Sequence, residues 1–233
     1  MIPESEKQWL KDTLPALSIN PENSEVSGEL TFTATYDGEA GFTWLVEPGQ
    51  IAPGEVLTAT YKIRIKPGKD ADDIPTLTVE DDAIEKVLDR HFYTSGNACL
   101  CGPVEKQRFL KSGYSFIKYL DQLVVPFLYE QTYFEKYRKW PWGEYAHGAA
   151  GVFQSFANSE GTIEDVQACL QQLRKDKKWD RIRAVLSGRE RVTETSKCFC
   201  TSPDQIRRCH PTAWFALLRL RSAIQKYAVR LNN

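Results

Sequence analysis

Two periodicities divide this chain, and the order in which they occur constrains the fold more than any other feature. From Glu29 to Tyr36 apolar and polar residues alternate (Leu30, Phe32, Ala34, Tyr36 on one side), and Asp37-Gly38 is a hairpin signal. Gly41 to Val46 reads as the returning strand. From Val56 to Ile65 the alternation resumes through Leu57, Ala59, Tyr61, Ile63 and Ile65, Pro67-Gly68 turns the chain, and Thr76 to Val79 reads as a shorter strand. A period of two buries one face of a strand and leaves the other wet, which is the pattern of an antiparallel meander. From Val104 the period lengthens: Phe109, Leu110, Tyr114, Ile117, Leu120, Leu123, Val124 and Phe127 recur at three- and four-residue spacing, as on a helix, with Pro126 expected to bend its end.

More helices follow. The spacing predicts them at about 147–158 and 162–175, the latter capped by Thr162 and presenting Val166, Cys169, Leu170 and Leu173 on one apolar face. A polar segment around Gly188 comes next, then a last helix from Pro211 to Leu231 with proline at its head. A short amphipathic helix from Glu4 to Leu14 precedes the strands, with Trp9 and Leu10 on one side. Strands first and helices after give an α+β class. The expected division is a core over residues 1–160 and a helical extension over 161–233.

At 233 residues with 42% hydrophobic and 12% aromatic side chains, the chain buries a full core and is not disordered. No apolar run approaches the roughly 20 residues that span a bilayer. The start, Met-Ile-Pro-Glu-Ser-Glu-Lys, lacks the basic-then-apolar order of a secretory signal, so a cytoplasmic protein is expected. The net charge of −1 conceals an asymmetry: residues 1–103 hold 8 Lys+Arg against 18 Asp+Glu, residues 104–233 hold 22 against 13. Such halves can steer a partner of mixed charge or be two solvated faces, and nothing in them demands nucleic acid.

Six cysteines are too few for a disulfide scaffold in a chain of this length. Cys169 reads as a core thiol. Cys198-Phe199-Cys200 is followed, after eight residues, by Cys209-His210, and three thiolates with one imidazole on short loops can close a tetrahedron around zinc. The spacing Cys-x-Cys-x8-Cys-His resembles the small SEC-C type zinc knuckle at every ligand position, Cys198, Cys200, Cys209 and His210. The loop departs from that family: Thr201, Pro203 and Asp204 stand where a Gly-Ser-Gly-Lys run is usual, while Arg207 and Arg208 keep its basic character. With four protein ligands no position is left for water, so the expected Zn2+ is structural or serves docking.

The remaining thiols lie in His91-Phe92-Tyr93-Thr94-Ser95-Gly96-Asn97-Ala98-Cys99-Leu100-Cys101-Gly102-Pro103, between the strands and the helices. Thiols among small residues in an irregular segment suit a nucleophile that a large partner must reach; they also suit a strand end pointing alternately in and out. Taken with the N-terminal helix, the meander and the long helices that follow, the segment resembles the ubiquitin-conjugating enzyme family. There the loop after the meander carries a His-Pro-Asn motif and then Gly-x-x-Cys-Leu, whose cysteine holds the ubiquitin thioester. His91 matches the histidine, and Gly96-Asn97-Ala98-Cys99-Leu100 the second segment. The interval between them is two residues shorter than in the eukaryotic enzymes and resembles the prokaryotic members of antiphage operons, the Bil type included. The stretches Phe127-Leu128-Tyr129 and Lys139-Trp140-Pro141-Trp142-Gly143-Glu144 resemble those proteins too, several of which end in a knuckle.

The resemblance covers roughly residues 25–150 and 198–210. It implies a ubiquitin-conjugating-enzyme-like fold with a C-terminal zinc knuckle, in a cytoplasmic bacterial enzyme of antiviral defence. Its partners would be a ubiquitin-like protein, an activating-like enzyme and a target amine, with no membrane. Cys99 would accept the modifier as a thioester, with Cys101 as the rival thiol, and His91 would brace the loop rather than act as base. The family asparagine has no counterpart after His91, where Phe92 and Tyr93 stand; Asn97, Tyr93 or His147 can supply the oxyanion donor. His147, in Tyr145-Ala146-His147-Gly148, can position or deprotonate the incoming lysine, or simply cap or pack a helix start. Trp140 and Trp142 dock a partner or close the core. Competing readings are an inactive adaptor of the same fold, a thiol hydrolase using Cys99 with His91 or His147, and a nucleic-acid binder using Arg207, Arg208, Arg219 and Arg221, whose affinity would fall steeply with salt.

Overall fold

The structure is a computed structural model that describes residues 2–70, 73–143, 146–200 and 202–231; Glu144, Tyr145 and Thr201, named above, lie outside the described residues. It is an α+β arrangement in two compact units, Met1–Cys101 with Leu110–Glu144, and Gly102–Phe109 with Tyr145–Asn233. Residues 145–160, grouped above with the core, thus belong to the second unit.

In the first unit a helix α1 (Glu4–Thr13) precedes β1 (Leu17–Ile19), β2 (Val26–Asp37), β3 (Gly41–Trp44), β4 (Glu55–Lys66) and β5 (Thr76–Val79). All pairings are antiparallel, in the order β1-β2-β4-β5, with β3 folded back on β2. This corrects the simple meander. β4 passes over β3 and pairs with β2 from Val26↔Ile65 to Tyr36↔Glu55. The reason is length: β3 is four residues, whereas β2 and β4 are twelve each and satisfy one another's backbone groups along almost their whole run. The alternation has the expected consequence. Leu30, Phe32 and Ala34 meet Leu57, Tyr61, Ile63 and Ile65 on the buried face, while Thr31–Thr60 and Thr33–Thr58 hydroxyl pairs line the other. Gly28 has φ +137°, and a Cβ there would stand 2.1 Å from the Ala16 carbonyl oxygen, so glycine is what lets β1 close on β2.

The helical run after residue 103 is broken rather than single. α2 (Pro103–Lys111) ends before Gly113, which turns the chain at φ +84°. Ser115 then caps α3 (Phe116–Tyr119), while the Glu6 carboxylate of α1 accepts from the Phe116 N–H and the Ser115 hydroxyl. One wide π turn, Leu120–Val124, leads into α4 (Val125–Tyr137). Pro126 therefore does not bend the end of a helix. It stands at the head of α4, where the wide turn absorbs its missing N–H. α4 lies on the sheet through Phe127, Leu128 and Tyr129, with the Tyr61 hydroxyl 2.9 Å from Thr132 Oγ1. Trp142 stacks on Tyr129 and meets Tyr36 and Phe42 edge-on, and Trp140 packs on Phe134, so both tryptophans pack against the first unit's own aromatic residues.

The second unit is helical: α5 (Gly148–Ala157), α6 (Ile163–Leu173), α7 (Trp179–Leu186), α8 (Ile206–Cys209) and α9 (Pro211–Lys226). Phe153 and Phe156 of α5, Leu170 and Leu173 of α6, Ile182 of α7 and Leu217 and Leu220 of α9 form one buried cluster, with Cys169 wholly inside it as expected. Thr162 caps α6 in a full capping box with Asp165. Helix α7 falls where the sequence reads as polar: Trp179, Ile182, Val185 and Leu186 keep helical spacing, but five Lys, Arg and Asp residues between 177 and 183 mask it. Among the described residues no helix is long and apolar enough to cross a membrane.

Candidate functional site

The segment after β5 folds into a short hairpin carrying Cys99. A 3-10 turn, Leu88–Arg90, ends at His91, whose left-handed backbone (φ 56°, ψ 42°) reverses the chain into the hairpin. Phe92 and Ala98 then pair across an antiparallel bridge. The Tyr93 N–H donates to the Asn97 carbonyl at 2.9 Å, the Cys99 N–H to the His91 carbonyl at 2.7 Å, and the Gly96 N–H to the Tyr93 carbonyl at 2.8 Å. Gly96 closes the turn at φ +81°, which L side chains rarely adopt. The returning strand is stitched to β5: the Ala98 N–H donates to the Leu77 carbonyl, Asn97 bridges to Thr78, and the Thr78 hydroxyl donates to Asn97 Oδ1 at 3.1 Å.

This register sorts the side chains. Phe92 and Ala98 point into the core, 1% and 7% exposed, so Tyr93, Asn97 and Cys99 alternate to the opposite face. Cys99 is half-buried there, and burial raises its thiol above the ordinary range while hydrogen bonding with the Tyr93 side chain works the other way. The Tyr93 phenol is pushed up as well, by burial first and then by Cys99 and Cys101. His91 is buried with its ring edge-on to Trp140, and it holds the hairpin through its carbonyl. Arg90, the residue before it, is also buried. Its guanidinium donates to Gln131 Oε1 at 2.9 Å and pairs with Glu135 at 2.5 Å, beneath the Phe134 ring, while Gln131 Nε2 donates back to the Arg90 carbonyl at 3.2 Å. α4 thereby fixes the entry to the hairpin. No local sequence signal could reveal this, because the partners lie more than forty residues apart.

The second cluster lies in the helical unit. Lys197 and Gln205 pair as a one-bridge ribbon, the Cys198 N–H donates to the Asp204 carbonyl, and α8 brings Cys209 and then His210 back beside the first two thiols. Cys198 Sγ lies 3.2 Å from His210 Nδ1, Cys200 Sγ lies 3.4 Å from Cys209 Sγ, and all four donor atoms fall within 4.8 Å of one another. A tetrahedral site with metal–sulfur bonds of about 2.3 Å has edges of about 3.8 Å, so the donors stand at coordination spacing. The cluster fits a metal ion. Burial pushes the Cys198 thiol up to about 12 and raises Cys209. Burial works against ionising Cys200 too, but the Ser202 N–H, the neighbouring thiols and the Lys178 ammonium together hold it below the ordinary thiol range. Lys178 also donates to the carbonyls of Phe199 and Cys200 at 2.7 and 2.8 Å, tying the loop to the head of α7. Its position twenty residues upstream gives no hint of this role.

No family model, no curated protein and no solved structure matches this chain. Cys99, His91, Tyr93 and Asn97 share one hairpin, and the four Cys and His donors meet where the Lys197–Gln205 ribbon and the end of α8 come together. His147 stands in the second unit at the head of α5, where its backbone takes the N-cap position but its side chain makes no capping bond.

Proposed function

We propose that this protein is a conjugating enzyme for a ubiquitin-like protein, with Cys99 as the thioester-forming residue. The carrying observation is the hairpin itself: a half-exposed thiol on the outer face of a segment anchored to the last strand, in register with Gly-x-x-Cys-Leu. The chemistry asks for a thiol that accepts an acyl group from an activating enzyme's thioester and yields it to an amine without a strong adjacent base that would favour water. On the hairpin the imidazole of His91 is buried edge-on to Trp140, and its carbonyl accepts from the Cys99 N–H. That favours acyl transfer over a Cys-His hydrolase. Service in a bacterial antiphage system, in the cytoplasm, rests on the resemblance described above. The ion of the Cys3His cluster is Zn2+, held by Cys198, Cys200, Cys209 and His210 as a structural element of a knuckle-like docking end.

One observation favours a second reading, an adaptor of the same fold that binds the modifier without chemistry: burial raises the Cys99 thiol, leaving little thiolate at neutral pH. The test mixes the protein with a ubiquitin-like protein, its activating enzyme and ATP, and resolves the products with and without reductant. A reductant-sensitive adduct that is lost in Cys99→Ala and kept in Cys101→Ala is the expected result. Loss only in Cys101→Ala moves the chemistry to the other thiol, and binding without any adduct selects the adaptor.

A further inference from the structure

We infer that Tyr93 is a catalytic residue of this site, its hydroxyl donating a hydrogen bond to the sulfur of Cys99 in both halves of acyl transfer. The inference rests on the conjugating reading of Cys99. The sequence leaves three candidates for a polar donor beside the thiol: Asn97, Tyr93 and His147. The hairpin register separates the two that share it. With Phe92 opposite Ala98, Tyr93 stands opposite Asn97, and Cys99 is its diagonal neighbour on the same face, a span that an aromatic side chain crosses. Asn97 lies on the same strand as Cys99 and is held to β5. Its carbonyl takes the Tyr93 N–H, its side-chain oxygen takes the Thr78 hydroxyl, and its backbone bridges to β5.

Tyr93 has the properties of a donor. Half of its surface is open, 51%, it shares a face of the hairpin with Cys99, and its phenol acts to lower the Cys99 thiol against the effect of burial. Burial keeps the phenol protonated throughout the physiological range, so it remains a neutral donor next to a developing negative charge. Cys101 acts on Tyr93, and the His91 carbonyl accepts from the Cys99 N–H.

In the first half-reaction the Cys99 thiolate attacks the carbonyl carbon of the modifier's thioester on the activating enzyme. A new carbon–sulfur bond forms at Cys99, the old one breaks, and the donor cysteine leaves as thiolate with the bonding pair. In the second, the amine nitrogen of the target attacks the same carbon and the carbon–sulfur bond to Cys99 breaks. The sulfur leaves with the electron pair, and the amine's proton passes to solvent. Sulfur is anionic at the start of the first step and at the end of the second. Tyr93 stabilises it at both points, in the place where the related enzymes use an asparagine for the carbonyl oxygen.

The deciding experiment needs no modifier. The full-length protein is alkylated with iodoacetamide across pH 6.5–10.5, and modification of Cys99 and of Cys101 is followed separately by peptide mass, in wild type, Tyr93→Phe and Asn97→Ala. Loss of a hydrogen bond to a charged sulfur raises the midpoint of the Cys99 profile by ~1 pH unit in Tyr93→Phe. The Asn97→Ala and Cys101 profiles stay in place. A Cys99 midpoint in Tyr93→Phe that rises by less than ~0.3 unit, or falls, overturns the inference. An unchanged near-ultraviolet circular dichroism spectrum shows that the variant is folded, and Tyr93→Trp, which keeps an aromatic ring but moves the donor, must shift the midpoint in the same direction. Discharge of the Cys99 thioester to free lysine slows about tenfold in Tyr93→Phe. A wild-type protein that never charges with any modifier refutes the conjugating reading, while the alkylation result still decides the Tyr93–Cys99 bond.

Discussion

Arg90 shows how one buried side chain fixes a functional loop. Its guanidinium is held by Gln131 and Glu135 and covered by Phe134, and its carbonyl is held by Gln131, so both ends of the residue are tied to α4. Arg90→Met keeps much of the packing volume, removes the charged partner of Gln131 and leaves Glu135 with Arg138 in place of two guanidinium groups. A loss of about 2–3 kcal/mol in urea denaturation at pH 7 is expected, at the lower end of the cost of breaking a buried pair because Glu135 is partly open to solvent. The same pair sets a pH dependence. The Arg90 hydrogen bond holds the Glu135 carboxyl below the ordinary range, with Arg138 adding to it. A depressed carboxyl contributes stability that is present above its unfolded pKa of about 4.3 and is lost as pH falls through the folded value. The stability gap between wild type and Arg90→Met is therefore largest near neutrality and narrows on acidification below about pH 4.3; a gap that stays constant from pH 7 to pH 3 contradicts this account.

At the scale of elements, stability depends on ends and close approaches as much as on apolar faces. The reciprocal bonds between Thr162 and Asp165 satisfy two orphan N–H groups at the head of α6, whose inner face carries Val166, Cys169, Leu170 and Leu173. Thr162→Ala should cost about 1 kcal/mol, read as a lower thermal midpoint with little change in helix content. Gly28 is a sharper case. With φ +137° and the Ala16 carbonyl 2.1 Å from where a Cβ would stand, Gly28→Ala must push β1 away from β2 or twist β2 itself. Backbone strain and a lost edge pairing together predict a penalty of about 2 kcal/mol or more, with amide protons of residues 17–19 exchanging faster than in wild type. Protection unchanged over those residues would mean that β1 tolerates the displacement.

At the scale of the whole molecule, the Cys3His cluster predicts that the stability of the helical unit is coupled to a bound ion. The four donor side chains come from a ribbon, the short helix α8 and the residue that joins it to α9, and without a metal three thiols and an imidazole crowd one another within 4.8 Å. One equivalent of zinc per chain is expected by elemental analysis, and Cys200→Ser should remove it. Chelation should lower the melting temperature of the helical unit by 10 °C or more while the sheet signal persists, because metal binding of this kind is coupled directly to folding. Much of this was legible in the sequence. Alternation over residues 29–65 fixed which faces of the strands are buried, the Cys-x-Cys-x8-Cys-His spacing picked out the four donors, and Thr162 announced its helix, since each depends on chemistry within a few residues. Other features were not legible, because they depend on which distant segments meet. β4 pairs with β2 rather than β3 because only β2 is long enough to satisfy it. Pro126 opens a helix because a π turn precedes it. Lys178 reaches the metal loop and Arg90 reaches α4 across twenty and forty residues of chain. A local pattern sets which way a side chain faces; which partner it meets there is decided when the whole chain closes its core and must satisfy every polar group it buries.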